Sequence, residues 1–451
     1  MDMPNVPQRL NYYLDTQFNC DCGKEHYAPL KYVSIRKGAL EDLPVFAKAL
    51  NFKSLYLVSD KITYDIAGKR CLTILKAAGI TAHIVILTHT NFDEATVGEL
   101  LINMPDDCDL LVAVGTGAIN DMTRYFSFRT GRPFFTVATA APMDGFASNL
   151  AVLNINNLKT SIEAQPPTAI IGDTEILKGA PYSMIAAGLG DLLGKSICLC
   201  DWKLSSIING EHYCKNIVEL VETCVANTLK VADKAKERDP QVLGSIMEGL
   251  VLTGVAMSLY GNSRPASGCE HHISHYWEMI FEQMGKHPVA HGTQVGVGTV
   301  LILKLVESLL ATTVNFSAAR TYAKAYDQSL WAKSIHKAYG SAAQGIINME
   351  ATAQKNEINA HLRRIDAIED HWEEITMLLK ALPSSKTVSE LLTSLGAPDL
   401  PEQIGVDVDM LRNTLLYCKE VRARYTILQM IWDLGLLETL SEQVINELTQ
   451  P

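Results

Sequence analysis

The chain has 451 residues, too many for one compact core, so we expect two or three domains. Hydrophobic residues make up 47% of the chain and charged residues 20%, which excludes a disordered protein and allows a large core. The formal net charge of −11, without a basic stripe, argues against a nucleic-acid partner. An anionic ligand would need local positive charge or backbone N–H groups.

The start of the chain, MDMPNVPQRLNYYLDTQ, lacks the apolar centre of a signal peptide. The most apolar stretches, such as VLGSIMEGLVLTGVAMSLYG with its Glu248, are predicted to be broken and to fall short of a membrane span. The ten cysteines show no paired spacing, which is typical of reduced thiols. We therefore expect a cytoplasmic protein without membrane insertion.

One cysteine motif stands apart. In CDCGKEH, the side chains of Cys20, Cys22 and His26 are soft metal ligands. No second half-site at zinc-finger spacing accompanies them, so a turn that carries two thiols is the simpler interpretation. The sequence alone does not assign this motif a role.

The first 175 or so residues alternate short apolar runs with helical patterns. ITYDIAGKRCLTILKAAG and FDEATVGELLINM are predicted helices. Such alternation predicts a parallel sheet covered by helices on both faces. The predicted strands are SLYLVSD, AHIVILTH, LLVAVGTG, PFFTVATA and TAIIGDT.

After about residue 180, apolar residues recur every three to four positions, as in YCKNIVELVETCVANTLKVADKAK and MLRNTLLYCKEVRARYTILQMIWDLG. This spacing predicts long helices almost to the end of the chain. The charged segment NEINAHLRRIDAIEDHWEEITMLLK is interpreted as a solvated helical face. The chain thus reads as an α/β domain followed by an all-helical domain. Ligands are expected in the cleft between two such domains and at the carboxyl ends of the strands.

A glycine turn follows one predicted strand. In LLVAVGTGAINDMTRY, Gly115, Thr116 and Gly117 lead into a helix, where the backbone could approach a pyrophosphate. The full G-x-G-x-x-G pattern is absent, so a plain strand-to-helix turn explains these residues equally well. Asp60, at the end of SLYLVSD, is either a ribose-binding carboxylate or a helix N-cap.

Histidines cluster in SRPASGCEHHISHYWEM. On a helix His271 and His275 share a face, whereas His272 points away. A catalytic metal needs three protein ligands and an open position. The spacing does not rank His271 against His275. The candidate ligands are His271, His272, His275, His287, His291, Asp191 and Glu270.

These motifs, taken together, resemble a known family. GTGAIND, TAAPMDGFAS, AAGLGDLLGK, SRPASGCEHHISH and AHGTQVGVGT occur in the order found in the iron-containing alcohol dehydrogenase superfamily. Within it, the signature SRPASG-x-EH-x-x-SH is most similar to sn-glycerol-1-phosphate dehydrogenases. The resemblance covers about residues 30–310 and implies a dehydroquinate synthase-like fold. We expect an N-terminal extension (1–30), a dinucleotide-binding α/β domain (31–178) and a helical metal- and substrate-binding domain (179–451).

The resemblance also implies roles for individual residues. Asp191, His271 and His291 would bind one divalent metal, and Asp191 would also line the substrate site. His275 and Asp144 would contact the substrate, and His272 would have no role in the site. Asp60 at the ribose favours NAD, with NADP as the alternative. The other implied cofactor contacts are Gly115, Gly117, Ala118, Ile119, Asn120, Asp121, Thr139, Ala140, Pro142 and Ser148.

The implied reaction is reversible hydride transfer between NAD(P)H and dihydroxyacetone phosphate, giving sn-glycerol 1-phosphate for phospholipid biosynthesis. The metal, which can be zinc, nickel or ferrous iron, would act as a Lewis acid on the C2 carbonyl. His275 would pass the proton or only orient the substrate. Arg264 suits a phosphate, although a structural salt bridge explains it equally well. A homodimer is the first expectation for the assembly.

Three alternatives remain open. The first is a polyol dehydrogenase of the same superfamily, which would act on unphosphorylated glycerol or a related diol. The second is a dehydroquinate-synthase-like lyase, which would consume no net NADH and would carry a glutamate where Asp191 stands. The third, a non-catalytic nucleotide-binding protein, is disfavoured because all three implied metal ligands are present.

Overall fold

The computed structural model describes residues 10–89, 92–155 and 158–449. The chain divides into two compact units. The first unit comprises the described residues up to Leu192 together with Lys215–Pro265, and the second comprises Leu193–Cys214 and the described residues from Ala266 onward. The helices within residues 215–265 pack with the sheet-bearing part of the chain. The boundaries of the two compact units therefore differ from the boundary between the predicted domains 31–178 and 179–451. Residues 1–9 of the predicted N-terminal extension lie outside the described residues.

A parallel six-stranded sheet forms the centre of the first unit, in the order β3-β10-β7-β6-β4-β5. Two antiparallel hairpins, β1-β2 and β8-β9, accompany it. The strands are β1 (Gln17–Asn19), β2 (Glu25–Tyr27), β3 (Tyr32–Arg36), β4 (Ser54–Ser59), β5 (Thr81–Ile86), β6 (Leu110–Gly115), β7 (Phe134–Ala138), β8 (Leu150–Ile155), β9 (Leu158–Glu163) and β10 (Ala169–Asp173).

The five predicted strands are confirmed as β4, β5, β6, β7 and β10, and the predicted parallel α/β sheet is confirmed. The edge strand β3 was not predicted, because its five residues form a strand only by pairing with β10, far along the chain. The two hairpins were also not predicted. The strands β4, β6, β7 and β10 are buried along their whole length, as expected for a sheet with helices on both faces.

Helices account for most of the remaining described chain. α1 to α8, α10 and α11 belong to the first unit, and α9 and α12 to α22 belong to the second. Their bounds are α1 (Leu10–Tyr13), α2 (Leu43–Ala49), α3 (Lys61–Thr63), α4 (Lys69–Ala77), α5 (Glu94–Asn103), α6 (Gly117–Thr130), α7 (Thr174–Lys178), α8 (Tyr182–Leu193), α9 (Lys195–Asn209), α10 (Lys215–Leu229), α11 (Pro240–Tyr260), α12 (Cys269–Gln283), α13 (His291–Leu310), α14 (Phe316–Lys324), α15 (Gln328–Tyr339), α16 (Ala343–Ala353), α17 (Ile358–Asp370), α18 (Trp372–Lys380), α19 (Ser385–Ser394), α20 (Val408–Tyr417), α21 (Ile427–Asp433) and α22 (Leu437–Thr449).

The helix α11 has clear start and stop signals in the sequence. The carboxylate of Asp239 accepts hydrogen bonds from two backbone N–H groups of the first turn, and Pro240 fits the first helical position. Gly261 ends the helix in a left-handed conformation, with φ at 86°. The chain then enters the SRPASG segment.

The stretch around Glu248 was expected to be too short to span a membrane. This expectation is wrong, because α11, which contains the stretch, has 21 residues and is long enough. By length and composition, Tyr182–Asn209, α11 and α13 are each apolar enough to cross a membrane. In the most apolar window of each, 78–83% of the residues are buried inside the protein. Helices that are apolar on most sides are typical of a large core.

Two predictions about the helical tail are also wrong. The segment 410–435 does not form one long helix, since α20 ends at Tyr417 and α21 begins only at Ile427. The segment 356–380 is not simply solvated, because Arg364 is buried and its guanidinium makes two hydrogen bonds of 2.7 Å to Asp433. A charged pattern in a sequence cannot show that a partner for one of its charges lies 69 positions away.

Two glycines let helices approach the loop that follows β7. A Cβ added at Gly188 of α8 would lie 2.1 Å from the carbonyl oxygen of Ala141. A Cβ added at Gly254 of α11 would lie 2.8 Å from the carbonyl oxygen of Asp144. The contacted atoms are backbone and cannot rotate away, so both positions require glycine and the loop is held between two helices.

We therefore expect Gly188→Ala to lower the free energy of unfolding by about 3 kcal/mol, because the added methyl group overpacks a rigid contact. Urea denaturation followed by circular dichroism measures this change. Gly98→Ala, in α5, is the matched control, since its Cβ meets nothing within 4 Å and alanine favours a helix by about 1 kcal/mol. Equal stability of the Gly188→Ala protein and the wild type would contradict the close approach.

The imidazole of His272 is part of the core around α12. Its side chain is fully buried, and among the described residues neither ring nitrogen has a hydrogen-bond partner. Burial, aided by the positive charge of Lys355, lowers the pKa of His272 well below its usual 6.5. The ring is therefore neutral in the folded protein at physiological pH.

This burial predicts a loss of stability in acid. As the pH falls below about 6.5, the unfolded chain binds a proton at His272 and the folded chain does not, so the free energy of unfolding decreases by up to about 1.4 kcal/mol per pH unit. His272→Leu should have a shallower decrease in melting temperature from about pH 7.5 to about pH 5.5. The exposed His336, changed to Leu, is the control. Identical pH profiles for wild type and His272→Leu would refute the argument.

Candidate active site

Three histidine rings gather in the second unit, two on α12 and one at the first residue of α13. The ring centroids of His271 and His291 are 5.1 Å apart, those of His275 and His291 5.4 Å, and those of His271 and His275 6.2 Å. The helical spacing brings His271 and His275 to one face, as predicted. The packing of α13 on α12 adds His291.

Two of these rings are held by buried carboxylates. Nδ1 of His271 lies 2.6 Å from Oε1 of Glu270, and Nδ1 of His291 lies 3.0 Å from Oε1 of Glu278. The hydroxyl of Ser274 is also 3.0 Å from Nδ1 of His291. An ionised carboxylate only accepts hydrogen bonds, so Nδ1 carries a proton in both rings, and in a neutral ring Nε2 then carries the lone pair. Histidines that bind metals are oriented in this way.

Glu270 had been considered as a metal ligand from its position in the sequence. In the structure its Oε1 accepts hydrogen bonds from the ring of His271 and from the backbone N–H of Gly268, at 2.8 Å. Its carboxylate is fully buried. These contacts are those of a residue that orients His271. Sequence reasoning did not identify Glu278, which does the same for His291; its position seven residues after His271 on one helix was the available signal.

His275 shares Glu278 with His291. Its Nδ1 lies 3.4 Å from Oε2 of Glu278. Burial lowers the pKa of His275 to about 3, against the opposing influence of the Glu278 carboxylate, and the positive charge of Arg422 lowers it further. His275 is therefore a neutral imidazole at physiological pH.

Arg422 was not identified from the sequence. It lies in VRARY, the irregular segment between α20 and α21, and its charge acts on both His272 and His275. Burial lowers the pKa of its guanidinium. Arg422 thus places a partly buried positive charge near these imidazoles. The two arginines of VRARY, in an otherwise apolar stretch, were the available sequence signal.

His287, another candidate from the sequence, is exposed in the segment between α12 and α13. It is not one of the three gathered rings. His272, on the opposite side of α12 from His271 and His275, lies in the core, as its predicted position on the helix indicated.

Asp191 and Asp144 meet in the first unit. Asp191 of α8 is fully buried, and its Oδ2 accepts a hydrogen bond of 2.9 Å from the backbone N–H of Asp144. Asp144 begins the short turn Gly145–Ala147 and is also buried. The close approach at Gly188 brings α8 to this loop. A carboxylate buried in an apolar helix needs such a donor or a cation.

The predicted nucleotide residues lie at the carboxyl edge of the sheet. Asp60 follows β4, Gly115 ends β6 and Thr139 follows β7. The backbone N–H of Thr139 donates a hydrogen bond of 3.1 Å to the carbonyl oxygen of Gly115. From β4 the chain passes first to β5 on one side and then to β6 on the other. The strand order therefore reverses between β4 and β6, where open α/β sheets bind their ligands.

Asp60 is an N-cap, one of its two interpretations. Its Oδ1 accepts hydrogen bonds from the backbone N–H of Thr63 at 2.7 Å and from the Thr63 hydroxyl at 3.0 Å. The Thr63 hydroxyl oxygen in turn accepts from the Asp60 N–H. The cap uses Oδ1 and does not exclude a ribose contact at Oδ2.

At the glycine turn, packing explains the first glycine. A Cβ at Gly115 would lie 2.7 Å from the Ile119 side chain, which is buried, whereas Gly117 is open by comparison. Asn120 is buried and accepts a hydrogen bond from Thr136 at 2.7 Å. Ala118 is exposed at the start of α6. Thus Gly117 and Ala118 lie at the accessible helix start, while Ile119 and Asn120 point into the fold.

A buried arginine, not identified from the sequence, supports the same loop. Arg124 of α6 donates to Asp121 at 2.5 Å, to the carbonyl oxygen of Leu150 at 2.9 Å and to that of Phe146 at 2.9 Å. Ser148, within this loop, accepts from the N–H of Leu150. Asp121 and Ser148 thus take part in holding the loop in place. No local pattern marks the role of Arg124, because its carbonyl partners Phe146 and Leu150 come from a later segment.

The remaining predicted residues are buried parts of the first unit. Ala140 and Pro142 lie in the loop after β7. Arg264 is only 2% exposed, and its backbone N–H donates to the side chain of Asn262 at 2.8 Å.

Comparison with known proteins places the chain in a family. Residues 34–181 match the family described as iron-containing alcohol dehydrogenase. A glycerol-1-phosphate dehydrogenase [NAD(P)+] of Halalkalibacterium halodurans is 30% identical over 91% of this chain and 94% of its own length. That of Geobacillus stearothermophilus is 30% identical over 96% of this chain and its full length.

Solved structures support the fold. The crystal structure of glycerol dehydrogenase from Schizosaccharomyces pombe has a TM-score of 0.59 and 15% identity, covering 93% of this chain and 91% of that one. Identity this low shows likeness of fold alone. The relatives above, at 30% identity over nearly the whole chain, show more: this protein belongs to the glycerol-1-phosphate dehydrogenase family of iron-containing alcohol dehydrogenases.

Proposed function

We propose that the protein is a metal-dependent oxidoreductase that transfers a hydride between NAD(P)H and C2 of dihydroxyacetone phosphate, giving sn-glycerol 1-phosphate reversibly. The observation that carries this proposal is the pair His271 and His291, each held at Nδ1 by a buried glutamate. In a chain of this family, such a pair is best explained by a catalytic metal.

Asp191, His271 and His291 are the ligands we propose for that metal. Two imidazoles and one carboxylate leave a coordination position for substrate and suit zinc, nickel or ferrous iron. Asp191 supports this set because it is buried in an apolar helix, where a cation would offset its charge. When bound, the metal would supply Lewis-acid polarisation of the substrate oxygen at C2.

NAD is the cofactor we propose, with NADP as the alternative. The N–H groups at the start of α6, beside Gly117 and Ala118, suit a pyrophosphate, and the reversal of strand order between β4 and β6 supports this position. Asp60 would hold the adenosine ribose through Oδ2. The loop from Thr139 to Ser148 would line the nicotinamide end, where Asp144 would contact the substrate. A loop fixed by Gly188, Gly254 and Arg124 would keep the reacting atoms in line.

We propose that His275 passes the proton between the C2 oxygen and water. As an imidazole it can accept a proton from the alcohol in the oxidative direction, and in the reductive direction it would take a proton from water and pass it to the C2 oxygen. Glu278, 3.4 Å from Nδ1, would stabilise the charge that forms transiently on the ring.

A phosphate needs a cation, and two arginines are the candidates. Arg264 precedes the histidine cluster and is buried. Arg422 is a second candidate, favoured by its electrostatic influence on His275. Either guanidinium suits phosphate oxygens. A polyol dehydrogenase would have no use for such a cation. The family assignment and Asp191, in place of the glutamate expected in a dehydroquinate-synthase-like lyase, both disfavour the lyase alternative.

A cytoplasmic location remains part of the proposal. All ten cysteines lie in the described part of the chain and none is joined in a disulfide, which is typical of proteins from a reducing compartment.

Removing a proposed ligand should abolish the reaction. We expect His271→Ala to lose NADH oxidation with dihydroxyacetone phosphate by at least about 10²–10³-fold, because the charge on the C2 oxygen is no longer stabilised. Glu278→Gln, which weakens the orientation of His291 and removes the negative charge beside His275, should lower metal affinity by about 10–100-fold. NADH absorbance and metal titration measure the two effects.

His287→Ala is the matched control and should retain wild-type turnover, since that ring is exposed and outside the cluster. Glycerol with NAD is the substrate control. Turnover of glycerol alone would move the assignment to the polyol dehydrogenases. No change in NADH absorbance with either substrate would point to the lyase alternative.

The role of Asp60 is tested by Asp60→Ser, because serine keeps the N-cap and removes the carboxylate. If the carboxylate binds the ribose and repels a 2′-phosphate, the ratio of kcat/KM for NADH over NADPH should fall by about tenfold or more. The melting temperature should stay near that of the wild type. An unchanged ratio in a folded protein would leave Asp60 as a cap only.

A further inference from the structure

The CDCGKEH motif forms the turn of the β1-β2 hairpin in the first unit. The N–H of Cys20 donates to the carbonyl oxygen of Lys24 at 3.0 Å, and the N–H of Gly23 donates to that of Cys20 at 2.9 Å. Gly23 has φ at 85°, which glycine adopts without strain. This folding brings the side-chain donor atoms of Cys20, Cys22 and His26 to within 4.8 Å of one another.

The ring of His26 is buried and its tautomer is fixed. Nδ1 lies 2.8 Å from the carbonyl oxygen of Leu259 in α11. A carbonyl only accepts, so Nδ1 carries a proton, and in the neutral ring Nε2 then carries the lone pair. Nε2 lies 3.2 Å from Sγ of Cys22. A histidine whose other nitrogen donates to a backbone carbonyl while its lone pair faces a thiol has the arrangement of a metal ligand.

The thiol of Cys20 lies near a third cysteine, Cys214. The sulfur of Cys20 accepts a hydrogen bond from the side-chain amide of Asn216, at 3.3 Å, in the first turn of α10. Cys214 precedes Asn216 by two residues and is fully buried. Two residues of chain span at most about 7 Å, so the hydrogen bond to Asn216 brings Cys214 close to the hairpin turn.

We propose that Cys20, Cys22, His26 and Cys214 bind a zinc ion. Three sulfurs and one imidazole nitrogen form a Cys₃His donor set, which is typical of structural zinc with four ligands and no open position. Around tetrahedral zinc, with Zn–S near 2.3 Å, neighbouring sulfurs lie about 3.8 Å apart, so the hairpin needs only a small contraction. A turn with two thiols, the simpler interpretation of the sequence, explains neither the buried ring of His26 nor its fixed tautomer.

This site would fasten the hairpin to α10 and α11. His26 already contacts the last turn of α11, and Lys24 in the same turn lies with its ammonium 5.5 Å from the ring centre of Tyr260. The chain leaves α11 at Gly261 and reaches Arg264 three residues later. The zinc ion would thus fix the end of α11 ahead of the SRPASG segment. The proposal does not depend on the proposed reaction.

The first test measures metal in the His271→Ala protein, in which the proposed catalytic site is broken. Elemental analysis by plasma mass spectrometry should find one zinc ion per chain remaining. X-ray absorption at the zinc edge should show a sulfur shell near about 2.3 Å, which the Asp191, His271 and His291 set cannot give. Zinc absent from the purified His271→Ala protein, or present without sulfur neighbours, would overturn the proposal.

Cobalt substitution of the full-length protein identifies the ligands. Co²⁺ bound by thiolates gives sulfur-to-metal charge-transfer bands in the near ultraviolet. These bands should appear in the wild type and vanish in the Cys20→Ser, Cys22→Ser double variant, while Cys71→Ala, a buried cysteine of α4, should keep them. Bands that survive in the double variant would refute the site.

Cys214→Ser tests the fourth ligand. Losing one of three thiolates should reduce the charge-transfer intensity by about a third and weaken zinc affinity. Unchanged intensity would remove Cys214 from the site and contradict that part of the proposal. If the serine variants fail to fold, the sulfur shell of the wild-type and His271→Ala proteins still decides the matter.

Discussion

Buried carboxylates paired with imidazoles are the constraint on which the second unit depends. Glu270 and Glu278 are removed from water on α12, and each would be costly there without a strong donor. His271 and His291 supply that donor through Nδ1. The same hydrogen bonds put a proton on Nδ1 of each ring, so one arrangement stabilises the buried carboxylates and orients the rings as the proposed metal site requires.

In the first unit, the corresponding constraint is the close packing of the loop after β7. Gly188 and Gly254 bring two helices against the backbone of that loop, and Arg124 holds it from a third side. These contacts restrict the conformations open to the loop. Asp144 and Asp191, which meet at this loop, share its rigidity.

Much of the fold could be predicted because it follows from local patterns. The five central strands and the helices between them could be predicted from runs and spacings of apolar residues. The family could be predicted from the order of its motifs along the chain. β3, the two hairpins and the break between α20 and α21 could not be predicted, because each depends on pairing with residues far along the chain. The buried Arg364, taken for part of a solvated face, has the same explanation.

The sequence by itself determined the residue types of the chemistry: the histidines at helical spacing, the aspartate in an apolar helix, the glycine turn after a strand and the cysteines of CDCGKEH. Only the tertiary structure decided their roles. It assigned Glu270 and Glu278 to orient rings, placed Asn120 inside the fold and revealed Arg422 and the neutral state of His275. The physical reason is that a tautomer, a pKa and a hydrogen bond depend on burial and on partners in space. Burial and spatial partners are set by the tertiary structure and cannot be read from the local sequence.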